Sequence, residues 1–234
     1  EAMGAEPSAV VIGLAFPRNL DRRWVSDFQE GVVEECARAG ISLVGGDLSS
    51  SAHIALGVTA LGNLSGRPAI TRAGARVGDQ VAVCGRLGCS AGGLLVLQRG
   101  FGSPKDLVLE QQCPTVPYGQ GKVAAEAGAT AMIDVSDGLL QDLGHICELS
   151  GVGIDVRTGA LKIHDSLARL AAATGKDPLS FVLAGGEDHA LAATFPAEAE
   201  LPQGWLRIGT VTSGAEVIVD GMPWTGSVGW DHFA

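Results

Sequence analysis

The sequence predicts an α/β protein built as two domains, and three observations carry that prediction. Short apolar runs alternate with segments of helical periodicity along most of the chain. A stretch rich in Gly, Pro and Asn, with three arginines, separates the first quarter from the rest. The length, 234 residues with 46% hydrophobic and 18% charged, supplies one large core or two small ones and excludes a disordered polar chain.

The apolar run 8–16, ended by Pro17, reads as a buried strand. Asp21 then caps a helix in which Trp24, Val25, Phe28, Val32 and Cys36 recur at helical spacing, with Gly40 as its stop. Residues 41–44 form the next strand, with Gly45-Gly46-Asp47 at its carboxyl end, and 53–61 alternate well enough for another. Residues 62–78, holding Arg67, Arg72 and Arg76, are the linker or domain edge. Beyond them come a strand at 80–84, a Gly-rich turn, a helix starting near Ser90 and a helix over 118–128. The strand 131–135 runs straight into Ser136-Asp137-Gly138 and a helix carrying Leu139, Leu143, Ile146 and Cys147, stopped by Gly151. A strand at 153–156, a helix over 163–173, an apolar segment at 181–186 and strands at 191–195, 205–211 and 216–219 complete the second α/β domain. No repeat of fixed period is present.

Composition narrows the function. Glycine, 34 of 234 or about 15%, is roughly twice ordinary usage, as expected where tight turns and backbone approach phosphates. The net charge of −10 excludes a nucleic-acid or anionic-membrane partner, both of which need a basic face. A phosphorylated substrate stays admissible if divalent metals stand between carboxylates and phosphates. Cys36, Cys84, Cys89, Cys113 and Cys147 are odd in number and widely spaced, which predicts free thiols in a reducing compartment. With no apolar run of membrane length and no secretory leader pattern, the expected location is the cytoplasm. The start at Glu1-Ala2-Met3-Gly4 suggests part of something longer.

Four carboxylates share one context, a short apolar strand ending in a Gly or Ser turn: Asp47, Asp134, Asp137 and, after Gly185-Gly186, Glu187. Ligands bind at the carboxyl ends of strands in open α/β sheets. Asp137 has two readings, helix N-cap and metal ligand. Asp134, inside Met-Ile-Asp-Val, needs a partner wherever it faces, and with Ser136 and Asp137 it could converge on one hard cation. The two Gly-Gly-acid turns read either as ligand sites or as turns where Gly takes positive φ. Arg72 and its neighbours are a solvated linker face or a clamp on an anion. No P-loop, GxGxxG or GxSxG element is present, and His53, His145, His164, His189 and His232 show no metal spacing.

Taken in order, Gly45-Gly46-Asp47, Thr71-Arg72-Ala73-Gly74-Ala75, Ala131-Met132-Ile133-Asp134-Val135-Ser136-Asp137-Gly138-Leu139, Gly185-Gly186-Glu187-Asp188 and Gly229-Trp230-Asp231-His232-Phe233 resemble the thiamine-monophosphate kinases. These belong to the aminoimidazole ribonucleotide synthetase superfamily, and the resemblance spans essentially the whole chain. It implies a two-domain α/β fold of the α+β type, with 1–66 the remainder of an N-terminal ATP- and Mg²⁺-binding, dimerising domain and 67–234 the C-terminal domain. It implies a homodimer that transfers the γ-phosphoryl of ATP to thiamine monophosphate, giving thiamine diphosphate. On this resemblance Asp47 binds Mg²⁺ and, with Gly46, approaches the ATP phosphates, and Arg72 contacts ATP. Asp134 and Asp137 are further ligands of several Mg²⁺ ions, Ser136 bonds a nucleotide phosphate, Glu187 holds thiamine monophosphate, and Trp230 stacks on one of its rings. Family members carry more Mg²⁺-binding aspartates ahead of the position of Glu1, so the N-terminal domain is expected to be incomplete here. Cys113 stands where the resemblance leads one to expect a basic residue.

The residue inventory agrees independently. A monophosphate acceptor, with a second pKa of about 6, is largely a dianion at neutral pH. No side-chain nucleophile or base is therefore expected. The barrier is the approach of two polyanions, since like unit charges 4 Å apart repel by about 4 kcal/mol at an effective dielectric of 20. Rival readings fit less well: selenophosphate synthetases need a reactive Cys in an N-terminal Gly-rich loop, and hydrogenase-maturation relatives need a C-terminal Cys. Aminoimidazole ribonucleotide synthetases lack the Trp-Asp-His-Phe ending. The non-enzyme alternative is a metal- and nucleotide-binding module that serves only as a dimerising partner.

Overall fold

The computed structural model describes residues 1–230; the Asp231-His232-Phe233 part of the terminal motif lies outside them. The chain divides into two compact units, Ala5–Pro68 with Glu1, and Ala2–Gly4 with everything from Ala69 onward.

The first unit is a three-stranded sheet with one helix. Strand β1 (Glu6–Phe16) is central, parallel to β2 (Ser42–Ser50) and antiparallel to β3 (Ala55–Asn63). Helix α1 (Arg22–Ala39) starts where expected: the Asp21 carboxylate accepts the Arg23 N–H, and Gly40 closes it in the left-handed conformation. Two expectations are corrected here. Gly45-Gly46-Asp47 is no strand-end turn, because β2 continues through it to Ser50. The pairing shifts by one residue between Val10 and Val11, so β2 bulges at Val44, and the next turn of the ladder brings Gly46 onto β1. A Cβ on Gly46 would lie 2.0 Å from the Ile12 carbonyl oxygen, so close approach and not positive φ requires the glycine. Nor is β1 a buried strand throughout: only Val10 and Leu14 are buried. A single helix cannot cover both faces of this sheet, and Leu43, Leu48, Leu56, Val58 and Leu61 remain exposed.

The second unit centres on a seven-stranded sheet in the order β10-β9-β6-β8-β4-β7-β5. Its strands are β4 (Gln80–Cys84), β5 (Ala131–Val135), β6 (Gly153–Val156), β7 (Ala190–Phe195), β8 (Leu206–Thr212), β9 (Val217–Val219) and β10 (Met222–Pro223). All neighbours are antiparallel except β6 and β9. One face carries the main core, where Val81, Val83, Ile133, Val135, Ile154 and Ile208 meet the helices. Those helices are α2 (Cys89–Gln98), α3 (Lys105–Gln112), α5 (Leu139–Ser150), α6 (Asp165–Thr174) and α7 (Pro178–Ala184). The other face packs Met132, Leu191, Phe195 and Trp205 with Ala124 of α4 (Gln120–Glu126). Alternation therefore assigns Ile133 and Met132 to opposite cores.

Two helices depart from the sequence reading. Helix α3 carries no signal in the sequence, because Leu107, Val108 and Leu109 are consecutive and Pro104 offers no capping side chain. The segment 181–184 is helical, not a strand: Asp177 caps Leu179 N–H and Pro178 occupies the first turn. Among the described residues no helix is long and apolar enough to cross a membrane.

Candidate functional site

In the second unit the end of β5 meets two other segments. Glu187 N–H donates to the Ser136 carbonyl at 2.7 Å, and Trp230 N–H donates to the Asp137 carbonyl at 2.9 Å. Gln141 strengthens the second junction, its N–H donating to Val228 O and its Nε2 to Trp230 O. The packing is tight enough to exclude side chains: Gly138 has φ 137°, and a Cβ there would lie 2.9 Å from Ala184 O and 3.1 Å from Gly229 Cα. The result is a cavity of about 450 Å³ lined by Ser136, Asp137, Glu187 and Trp230, with Gln111 and Ser180 also on its wall. Of the expected nucleotide, substrate and metal residues, these four are brought together.

The turn itself is shaped by a residue the sequence did not single out. Asp142, buried in the first turns of α5, accepts the N–H groups of Ser136, Asp137 and Gly138 on one carboxylate oxygen at 3.0, 3.0 and 3.1 Å. The N-cap residue of α5 is Gly138, without a side-chain cap, so the N-cap reading of Asp137 is overturned. An acid inside the first turns can reach back to the same orphan N–H groups, and that was the available signal.

Asp134 goes elsewhere. Being one residue short of Val135 on β5, it shares the Met132 face and lines a second cavity of about 390 Å³ with Thr71, Arg72 and Met132. Arg72 rides on a strap whose Thr71 carbonyl accepts the Met132 N–H at 3.1 Å. Ser150 ties the strap down, donating to Arg72 O and accepting from Gly74 and Ala75 N–H. Asp134 and Asp137 thus line two different cavities. Among the described residues no three His, Cys, Asp or Glu side chains gather as a metal site. In the first unit Gly46 and Asp47 lie along β2, where they line a groove of about 320 Å³ with Ile12, Phe28 and Val32, and the Asp47 carboxylate accepts the Ser49 hydroxyl.

Asp188, next to Glu187, anchors the loop from the other side. Its carboxylate accepts Gly88 N–H at 2.5 Å and Ser90 N–H at 3.0 Å, at the start of α2. Burial pushes its pKa from 3.8 up to about 7, opposed by those N–H groups and reinforced by Glu110. With the folded value raised, the unfolded chain ionises first, so stability from this group is fullest below pH 3.8 and declines until about pH 7. The whole interval is worth on the order of 4 kcal/mol. Urea unfolding is therefore expected to show the wild-type advantage over Asp188→Asn shrinking from pH 5 to pH 8; a constant difference refutes this. Burial also pushes the Cys89 thiol up to about 12, with Asp188 and Glu110 adding to it, so it is no thiolate nucleophile.

Two family models match: AIR synthase related protein, N-terminal domain, over residues 1–64, and its C-terminal domain over 76–221. The chain is similar to the thiamine-monophosphate kinase of Mycobacterium tuberculosis, 46% identical over all of this chain and 70% of that protein. The thiamine-monophosphate kinase of Corynebacterium glutamicum is 37% identical over all of this chain and 72% of its own length. Among solved structures, AaThiL complexed with AMPPCP and TMP superposes with a TM-score of 0.89 at 33% identity, covering 99% of this chain and 75% of that one.

Proposed function

The chain belongs to the thiamine-monophosphate kinase family of AIR synthase related proteins, and from that premise we propose that it catalyses ATP-dependent phosphorylation of thiamine monophosphate to thiamine diphosphate by direct, Mg²⁺-assisted transfer. One observation carries the reading: a single cavity lined by an acidic side chain on a strand-to-helix turn, a hydroxyl, a second carboxylate and an indole. That lining suits a ligand with a phosphate at one end and cationic or amino-bearing rings at the other. The cavity is offered to thiamine monophosphate, with Glu187 accepting from its rings and Trp230 stacking on one of them. Ser136 bonds a nucleotide phosphate. Arg72, exposed on its strap, holds ATP through its guanidinium, and Gly46 is assigned to the ATP phosphates together with Asp47.

The donors of Asp47, Asp134 and Asp137 are carboxylate oxygens, which suit Mg²⁺. That ion is commonly held by one or two carboxylates with waters and substrate phosphates, so a three-carboxylate cluster is not required. Since Asp134 and Asp137 line separate cavities, more than one ion is invoked. Bound there, Mg²⁺ neutralises phosphate charge and lets two polyanions approach. The chain's own residues position and exclude water; none has to remove a proton, because the acceptor is already a dianion.

Homodimerisation through the first unit is part of the proposal, supported by its uncovered apolar side chains. Sedimentation at micromolar concentration is expected to give a dimer, and Val58→Asp, at a position 61% exposed, to shift it to monomer. A monomeric wild type refutes it. The widely spaced cysteines support a cytoplasmic setting. The deciding assay follows thiamine diphosphate from ATP and thiamine monophosphate, with and without Mg²⁺. ATP binding without product formation would instead favour a non-catalytic binding module.

A further inference from the structure

Glycine-rich strand-to-helix turns commonly direct their N–H groups outward, as a cradle for phosphate. Here the cradle is reversed. The N–H groups of Ser136, Asp137 and Gly138 all point at the buried oxygen Oδ2 of Asp142, so the chain supplies its own anion. The carbonyls of Ser136 and Asp137 are then committed to the N–H groups of Glu187 and Trp230. With these backbone donors filled from inside and both carbonyls used to dock neighbouring segments, it is through their side chains that Ser136 and Asp137 can meet a ligand in the cavity they line.

We propose that Asp142 is the positioning residue of the site: an internal substitute for a bound anion that fixes one turn and, through its carbonyls, the placement of Asp137, Glu187 and Trp230 together. The inference rests on the phosphoryl-transfer reading for its kinetic consequence, but not for its geometry. Ser136, Asp137 and Gly138, their donors already occupied, offer no N–H groups to a phosphate. Anionic ligands must be met there by a hydroxyl and by a cation at Asp137, so loosening the turn disturbs cation use and substrate binding at once. A residue serving stability alone would not couple those two effects.

Two measurements test this on the intact protein. In the first, backbone amides of Ser136, Asp137 and Gly138 are followed by NMR hydrogen exchange. Strong protection is expected in wild type and its selective weakening in Asp142→Asn, whose amide oxygen accepts less strongly than a carboxylate; exchange at open-chain rates in wild type overturns the proposal. In the second, Asp142→Asn is compared with Ile146→Val, a control buried in the same helix. The Asp142 variant is expected to raise the KM for thiamine monophosphate and the half-saturating Mg²⁺ about tenfold, with the KM for ATP, whose phosphate Ser136 bonds, rising alongside them. Ile146→Val should lower the melting temperature and leave all three constants in place. Wild-type constants in Asp142→Asn, or the same shifts in Ile146→Val, overturn the proposal. If wild type forms no thiamine diphosphate at all, the functional reading falls, and the amide exchange still decides whether Asp142 holds the turn.

Discussion

Asp134→Asn is expected to reduce phosphoryl transfer by at least about 10²-fold in kcat while leaving the fold in place, the scale seen when one electrostatic stabiliser is removed from a transition state. Asp134 sits opposite Leu191 in the β5–β7 ladder, where pairing runs through backbone groups that the amide does not touch. Its side chain is half-buried on the cavity wall with Arg72, so Asn fills the same volume and loses only the charge. Asp137→Asn becomes an equally clean test, because Asp142 and not Asp137 satisfies the N–H groups at the start of α5. Product formation at saturating Mg²⁺ and the melting curve are measured side by side. Wild-type rates in both variants would sink the metal assignments.

Trp230→Ala should raise the KM for thiamine monophosphate by a few-fold to about thirtyfold and leave that for ATP in place. The estimate is the cation–π contribution of indole to a thiazolium ring, about 0.5 to 2 kcal/mol, at tenfold per 1.4 kcal/mol. Loss of stacked area adds to it. The rival role, pinning the end of the chain onto the domain, is already met by backbone groups: Trp230 N–H binds Asp137 O, and its carbonyl accepts from Gln141. The Trp230 residue is 61% exposed, so truncation removes little packing. A fall in melting temperature with both KM values unchanged would assign it the pinning role instead.

What the chain made legible is local. Strands β4, β5 and β6 read correctly to their end residues because each is a short run buried in the sheet. Helix α1 read correctly because its cap, apolar spacing and glycine stop all lie within twenty residues. The course of β2 through Gly45-Gly46-Asp47 did not, since what requires Gly46 is the Ile12 carbonyl, more than thirty positions away. Candidate site residues were recognisable as carboxylates in glycine-rich turns, but which of them meet depends on strand alternation beside a turn. Asp134 accordingly lines one cavity and Asp137 another. Asp142 escaped for a related reason: a buried acid in a helix looks like packing until the N–H groups it serves are seen.

The strap 71–75 has a bearing on solubility. Strand β5 closes one end of its sheet, and a terminal strand with bare N–H and C=O groups recruits other chains into edge-to-edge pairing, the route to fibrils. Thr71 takes up the Met132 N–H on that outer edge, and Ser150 keeps the strap from peeling away. The segment that carries Arg72 therefore also withholds from self-association the strand bearing Asp134. The ligand contact proposed for Arg72 and the shielding of this edge rest on the same few residues, so loosening the strap is expected to cost the chain both at once.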